Sequence, residues 1–177
     1  MEDQIKSLIA KYAEVYGEFE ALQTGGKLAS GDQKTGVIAE YYAKCYIEKV
    51  LQLEVKNYEK PGAAFDIRYL EKNGNEVRVQ VKAVSAHSKT LMISPIKLKG
   101  KDGKSAFDKL YLFKLSENFT PVSFWINDYQ WIIENAKTRN SEQEEPIKIA
   151  SAYMKQPNRH LDLNEKHDLI EKLNAII

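Results

Sequence analysis

Three polar side chains that could take part in chemistry, those of Asp66, Gln80 and Lys82, occur in two short runs whose polar and apolar residues alternate as in β-strands. Residues 65–69 alternate Phe, Ile and Tyr with Asp and Arg, and residues 77–82 alternate valines with Arg, Gln and Lys. Successive side chains of a strand point to opposite faces, so the pattern predicts one apolar face and one polar face. The polar face collects an acid, an amide and an amine. A carboxylate and an amide carbonyl can both offer oxygen to a hard divalent cation, although the amide adds no charge.

The turn between the two runs decides whether these groups meet. Residues 72–74, Lys-Asn-Gly, are a strong hairpin signal. A two-residue turn would place Asp66 opposite Val81, on the wrong face. A three-residue loop with a left-handed Gly74 places Asp66 opposite Gln80. Because a slip of one residue would turn a whole strand over, we predict the three-residue loop, which keeps the apolar residues on one side.

An Asp on one strand followed by Gln-x-Lys on the next resembles the core of the PD-(D/E)XK, or restriction-endonuclease-like, nuclease superfamily. The resemblance implies that Asp66 is the metal-binding acid, Gln80 the second metal-site position and Lys82 the catalytic lysine. Most members carry Asp or Glu at the second position, although branches such as the Mrr-like nucleases use Gln. The resemblance further implies that the Val81 carbonyl helps to bind Mg²⁺, or Mn²⁺ in its place, with water in the remaining positions. Lys82 would orient or deprotonate the attacking water and offset charge on the phosphorane.

A helix predicted from about residue 35 to 51 precedes these strands. Its segment Gly-Val-Ile-Ala-Glu, residues 36–40, resembles the N-terminal helix of many PD-(D/E)XK domains. In the family this glutamate often approaches the metal or its waters, so the resemblance adds Glu40 to the metal and catalytic residues. The alternative is that Glu40 lies on a solvated helix face.

Lysines are concentrated between residues 86 and 106, where Asp102 is the single acid. With two glycines, this segment is predicted to be a mobile basic loop. Its position after the Gln-x-Lys strand favours contacts with phosphate, and the alternative is a loop that is merely solvated. The residues predicted to bind DNA are His87, Ser88, Lys89, Lys97, Lys99, Lys101 and Lys104.

The rest of the chain predicts further helices and strands around this hairpin. An amphipathic helix over residues 3–24, ended by two glycines, could pack on its own core or on a second subunit. Strands are predicted at 53–58, 91–96, 107–115 and 119–126, a short helix from about 129, and a final helix capped by Asp162 or Asn164.

Length and composition narrow the possible classes of protein. A chain of 177 residues is predicted to form one domain, with a helical part at 1–30, a core at about 31–136 and a C-terminal extension at 137–177. A net charge of +1 neither indicates nor excludes a nucleic-acid partner. One cysteine excludes a disulfide framework within the chain, and the three histidines lack metal-ligand spacing. With no signal peptide or membrane-spanning run, we predict a soluble, cytoplasmic protein without a membrane partner.

These patterns together predict an α/β protein with a restriction-endonuclease-like core, a mixed central sheet of about four or five strands flanked by helices. The predicted function is that of a metal-dependent DNA endonuclease that hydrolyses phosphodiester bonds, and specifically that of a small type II restriction enzyme. Its partner would be double-stranded DNA, and it could act as a homodimer. The alternative, favoured by Gln80, is a catalytically inactive domain of the same fold that binds nucleic acid or a partner protein.

Overall fold

The structure, a computed structural model, describes residues 2–29, 34–60, 62–87, 96, 98–100, 103–135 and 169–175. The helices are α1 (Glu2–Thr24), α2 (Lys34–Cys45), α3 (Tyr129–Asn135) and α4 (Ile170–Asn174), and a π-helical turn (Tyr46–Val50) follows α2 directly. The strands are β1 (Val55–Tyr58), β2 (Ile67–Leu70), β3 (Glu76–Ser85), β4 (Lys109–Leu115) and β5 (Pro121–Asp128).

The five strands form one mixed sheet in the order β1-β2-β3-β4-β5. The β3–β4 pair is parallel, and the other three neighbouring pairs are antiparallel. A parallel pair needs a long crossover, which residues 86–108 supply here. The predicted α/β class, with a mixed sheet flanked by helices, is confirmed.

The β2–β3 hairpin has the predicted three-residue loop. The Glu71 N–H donates to the Asn75 carbonyl at 2.9 Å, and the Gly74 N–H donates to the Glu71 carbonyl at 2.9 Å. Gly74 has a φ of 86°, in the left-handed region where glycine is favoured. The register pairs Ile67 with Val79, as the three-residue loop requires.

Both faces of the sheet are covered by apolar clusters. On one face, α2 and the π-helical turn pack on β2 and β3 through a cluster that includes Ala39, Ala43, Ile47, Val79 and Val81. On the other face the cluster includes Val84, Ile96, Phe107, Leu110, Leu112, Trp125 and Ile132. The β3 face predicted to be polar therefore lies partly against a second core, because β4 carries buried apolar side chains on both of its faces.

Phe65 is the exception to the predicted alternation. It packs against the second cluster rather than beside Ile67 and Tyr69, and the Arg68 guanidinium lies 5.3 Å from its ring centroid. The prediction that Phe65 shares their face is wrong. The reason is that β2 becomes regular only at Ile67, so strict alternation does not extend back to residue 65.

The elements predicted outside the hairpin are largely present. α1 ends at Thr24, and Gly26 adopts a φ of 69° where the two glycines were predicted to stop the helix. The predicted extended segment at 53–58 contains the edge strand β1, and β4, β5 and α3 lie where they were predicted. The predicted second helix instead changes at Tyr46 to π-type geometry, with the Leu51 N–H donating to the Tyr46 carbonyl at 3.1 Å.

Some predictions fall outside the described residues. These are the strand at 91–96, apart from the buried Ile96, and the cap of the last helix at Asp162 or Asn164. The division of the chain at 30 and 136 stays a prediction. Among the described residues, no helix combines the length and apolar character needed to cross a membrane.

Candidate functional site

Asp66, Gln80 and Val81 are in direct contact at the start of β2 and the middle of β3. The Asp66 Oδ2 atom accepts a hydrogen bond from the Val81 N–H at 2.6 Å and another from the Gln80 side-chain amide. The Gln80 Nε2 atom also lies 3.2 Å from the Val81 carbonyl oxygen, to which it donates. The amide nitrogen of Gln80 therefore lies between two oxygens that the sequence predicts as metal ligands.

The local fold explains this contact. Three-residue loop geometry sets the hairpin register, and Gln80 and Lys82 share a face of β3 because they are two residues apart. Gln80 is buried, at 6% exposure, whereas Asp66 and Lys82 are half-buried. The acid, the amide and the amine thus lie on one side of the sheet, as the sequence predicts.

The Asp66 carboxyl is held in an environment that disfavours its charge. Burial raises its pKa to about 6, although the Val81 N–H and the Lys82 charge act in the opposite direction. An ionised Asp66 at neutral pH is therefore poorly compensated by the protein alone.

Glu40 belongs to the same electrostatic cluster. α2 packs against β3 through Ala39 and Ala43, and this leaves Glu40 half-buried. Burial and then the charge of Asp66 raise the pKa of Glu40 to about 8, and Lys82 opposes this rise. The structure therefore places Glu40 near Asp66 and Lys82 rather than on a fully solvated face, while its role stays a prediction.

The donor atoms suit a hard divalent cation. Among the described residues no group of three or more His, Cys, Asp or Glu side chains could hold a metal ion. The cluster instead offers two carboxylates, the Val81 carbonyl and, after a half-turn of its terminal amide, the Gln80 carbonyl oxygen. Mg²⁺ binds through one or two carboxylates and keeps several waters, so this sparse set of oxygens fits it.

Of the residues predicted to bind DNA, the three that the structure describes, His87, Lys99 and Lys104, lie in two separate places. His87 lies beyond the end of β3, where its Nε2 is 2.7 Å from the Glu117 carbonyl and its ring centroid is 5.2 Å from that of Phe119. Lys99 instead bridges to Ser105, whose carbonyl accepts from Arg78 near the start of β3. A strand rises about 3.3 Å per residue, so these two places are on the order of 20 Å apart.

Lys104 belongs with Lys99, because its carbonyl accepts a 2.8 Å hydrogen bond from the Gly100 N–H in the same turn. Both lysines are exposed. The remaining predicted contacts, Ser88, Lys89, Lys97 and Lys101, lie outside the described residues. A single basic loop extending from the end of β3 is therefore not what the described residues show.

A cleft of about 300 Å³ beside β1 was not predicted from the sequence. It is lined by residues 55–60, by Lys44 of α2, and by Gln23, Gly26 and Leu28 at the end of α1. Lys56 and Lys60 could have been noticed in the sequence, since each lies two residues from Tyr58. The position of Lys44 was not visible, because it depends on how α2 packs against the sheet.

Tyr58 lines this cleft and is electrostatically linked to Glu40. Its ring faces the Lys44 ammonium, with Nζ 5.7 Å from the ring centroid. Its hydroxyl is buried and has no hydrogen-bond partner among the described residues. Burial and then the charge of Glu40 raise the pKa of the Tyr58 hydroxyl, so Tyr58 lies near Glu40 as well as Lys44.

Comparison with known proteins identifies no family. No protein-family model matches the sequence, and no curated protein matches it significantly. Among solved structures, the chain is similar to that of a bacterial homing endonuclease, I-Ssp6803I, with 17% sequence identity and a TM-score of 0.41. The match covers 70% of this chain and 92% of that chain. Likeness at this level does not establish a shared fold, and function must be inferred from the site itself.

Proposed function

We propose that this protein is a metal-dependent endonuclease that hydrolyses phosphodiester bonds of double-stranded DNA. The observation that carries the proposal is the contact of Asp66 with the Gln80 amide and the Val81 N–H, with Lys82 on the same face of β3 and Glu40 of α2 near enough for its charge to act on Asp66. Two carboxyls with raised pKa values near one lysine are typical of functional sites, where charge is arranged for a ligand or a reaction.

Asp66 and the Val81 carbonyl would hold a Mg²⁺ ion, or Mn²⁺ in its place, with the Gln80 carbonyl oxygen and Glu40 as further ligands or partners of its waters. When bound, the ion supplies Lewis acidity at the phosphate and favours hydroxide over water. Both carboxyls have raised pKa values, so a nearby cation would also compensate charge that the protein leaves unbalanced.

Lys82 would act on the phosphate and the attacking water. Its side chain shares the β3 face of Gln80, and its charge reaches both carboxyls. An ammonium there can orient the water and stabilise negative charge that develops on the phosphate oxygens in the transition state. Lys82 therefore supports chemistry, while Asp66 supports binding of the ion.

The test is cleavage of plasmid DNA with and without Mg²⁺. The parent protein should cut only with the ion, and Lys82→Ala should lower the single-turnover rate by about a thousandfold or more while DNA binding remains. Lys72→Ala, in the exposed hairpin loop, is the matched control and should cut like the parent. If Lys82→Ala cuts at the parental rate, the proposed site is wrong.

Discrete fragments would further indicate sequence-specific cleavage, as expected of a small type II restriction enzyme. Double-strand cleavage also favours a homodimer, which sedimentation of the protein with DNA would detect.

A second candidate function is binding of DNA without cleavage. It is favoured by the hydrogen bonds of the Gln80 amide nitrogen to Asp66 and to the Val81 carbonyl, since this nitrogen lies where an ion would contact both oxygens. A mobility shift without products in either Mg²⁺ or Mn²⁺ would support this function instead.

A further inference from the structure

The cleft beside β1 concentrates positive charge in a chain that is almost neutral. Lys44, Lys56 and Lys60 line it together with one acidic residue, Glu59, whereas the whole chain has a net charge of +1. Glu59 is itself paired, because its carboxylate accepts a 2.6 Å hydrogen bond from Arg68. The cleft therefore presents an excess of cationic groups to solvent.

The lysines come from two elements that the fold brings together. Lys56 lies on β1 and Lys60 just after it, both exposed, while Lys44 comes from the last turn of α2. The Lys44–Glu48 contact, at 3.7 Å between half-exposed groups, is a weak ion pair that a stronger anion can replace. β1 is also an edge strand, so its outer backbone groups have no strand partner among the described residues.

The cleft adjoins the carboxyl cluster through Glu59. The Glu59 N–H donates to the Asp66 carbonyl at 2.9 Å, which ties the cleft wall to the residue that would hold the ion. Tyr58 has its ring beside Lys44 and its buried hydroxyl without a partner among the described residues. A duplex with a phosphate at Asp66 would therefore lie close to the wall of the cleft that carries the lysines.

We propose that the cleft formed by Lys44, Lys56 and Lys60 binds the phosphate backbone of duplex DNA next to the scissile phosphate. This inference rests on the proposed function and adds the surface that positions the substrate. Lysine contacts to phosphate are independent of sequence, so the cleft sets the register and orientation of the duplex rather than its recognition sequence. It differs from the loop predicted from sequence, whose described lysines, Lys99 and Lys104, lie in another turn.

The test compares the salt dependence of DNA binding among matched triple variants. Binding of a short labelled duplex is measured by fluorescence anisotropy without divalent ions, so that cleavage cannot interfere. In the cleft variant, Lys44, Lys56 and Lys60 are each changed to Ala. In the control variant the three changes are Lys72→Ala, Lys114→Ala and Lys172→Ala, which remove the same charge elsewhere.

The cleft variant should lose up to about three phosphate contacts, and its plot of log affinity against log salt should become shallower by up to about 2.7. A fourfold rise in salt would then weaken the parent by up to about 40-fold more than the cleft variant. The slope for the control variant should differ from the parental slope by no more than about 0.9, the contribution of one phosphate contact. Changing the same three lysines to Arg keeps their charge and should preserve the parental slope, which separates loss of contacts from misfolding.

A cleft variant with the parental slope would overturn the inference, as would an equal loss of slope in the control. Cleavage of plasmid DNA by the parent is scored separately. If the parent cuts and the cleft variant keeps its slope, the proposed function stands and this inference fails. If the cleft variant loses slope but no protein cuts in Mg²⁺ or Mn²⁺, the cleft binds DNA and the nuclease function fails.

Discussion

Arg78 and Lys82 lie on the same face of β3, and the charged groups around them differ in how their charge is balanced. At the start of the strand, Arg78 donates from Nε and Nη2 to the two carboxylate oxygens of Asp108, at 3.0 and 2.8 Å. Its backbone N–H donates to the same carboxylate, and Ser105 accepts from the remaining guanidinium nitrogen. Partial burial raises the pKa of Asp108, but the hydrogen bonds and charge of Arg78 outweigh it and hold that pKa below its ordinary value.

The second cluster begins two residues later and has the opposite balance. Burial raises the pKa values of Asp66 and Glu40, and Lys82 does not offset this. The first pair is thus a closed structural contact, whereas the second group stays unfavourable until more positive charge arrives. We therefore predict that the second group, whose charges the protein leaves unbalanced, is the functional site, and that the Arg78–Asp108 pair is structural.

The largest expected effect is the difference in DNA cleavage between two variants, each of which neutralises the carboxylate of one cluster. Asp66→Asn should lower Mg²⁺-dependent cleavage by about a thousandfold or more, because it removes a charged ligand. Asp108→Asn should leave the single-turnover rate within about threefold, because it acts only on folding. Rates are measured under conditions where both variants are folded. Equal losses in the two variants would show that the clusters do not differ in function.

The pH dependence of stability should differ between the clusters in sign. An acid whose pKa is raised on folding binds its proton more tightly in the folded state, so its contribution falls as pH rises from its ordinary value through its folded value. For Asp66 this window is from 3.8 to about 6, and for Glu40 from 4.5 to about 8. Across these windows the two groups together should destabilise the fold by on the order of a few kcal/mol.

Asp108 should act in the opposite direction and at lower pH. Its lowered pKa stabilises the fold above its ordinary value of 3.8, and that stability is lost as pH falls through the folded pKa. Chemical denaturation at constant ionic strength measures both effects. The double variant Glu40→Gln, Asp66→Asn should flatten the decline up to about pH 8, and an unchanged decline would assign it to other groups.

At fixed pH near 8 the single substitutions should change stability in opposite directions. Asp66→Asn should raise the free energy of unfolding by about 1–2 kcal/mol, since Asn keeps an acceptor for the Val81 N–H without the buried charge. Asp108→Asn should lower the free energy of unfolding by about 1–2 kcal/mol. The loss is small for an ion pair with Arg because solvent screens the side chains of Arg78 and Asp108, which are 29% and 37% exposed. Urea denaturation gives both values, and shifts of the same sign would remove the distinction.

The smallest expected effect concerns Gln80. Gln80→Glu supplies a second charged oxygen beside Asp66 and should tighten Mg²⁺ binding by about tenfold, with cleavage retained or changed modestly. Calorimetric titration of the ion measures the affinity. Gln80→Glu should also lower stability without the ion, because it places a third carboxylate near Asp66 and Glu40. Weaker ion binding by this variant would show that position 80 does not face the ion.

Local sequence was sufficient for the hairpin and for three members of the candidate site. Alternation along β3 and the Lys-Asn-Gly loop determine which side chains share a face, because each depends on backbone geometry within a few residues. Asp66 and Gln80 were therefore predictable as neighbours. The same rule failed at Phe65, where the regular strand has not yet begun.

Only the tertiary structure decided which groups distant in sequence lie close to this hairpin. α2 had to pack on β3 before Glu40 could approach Asp66 and before Lys44 could meet the edge strand. The Arg78–Asp108 pair, 30 residues apart in sequence, likewise depends on the crossover into the parallel strand β4. Such contacts depend on how whole elements pack and how much apolar surface they bury, so the periodicity of one segment cannot specify them. The sequence by itself determined which side chains the hairpin presents, and tertiary packing decided which charges surround them.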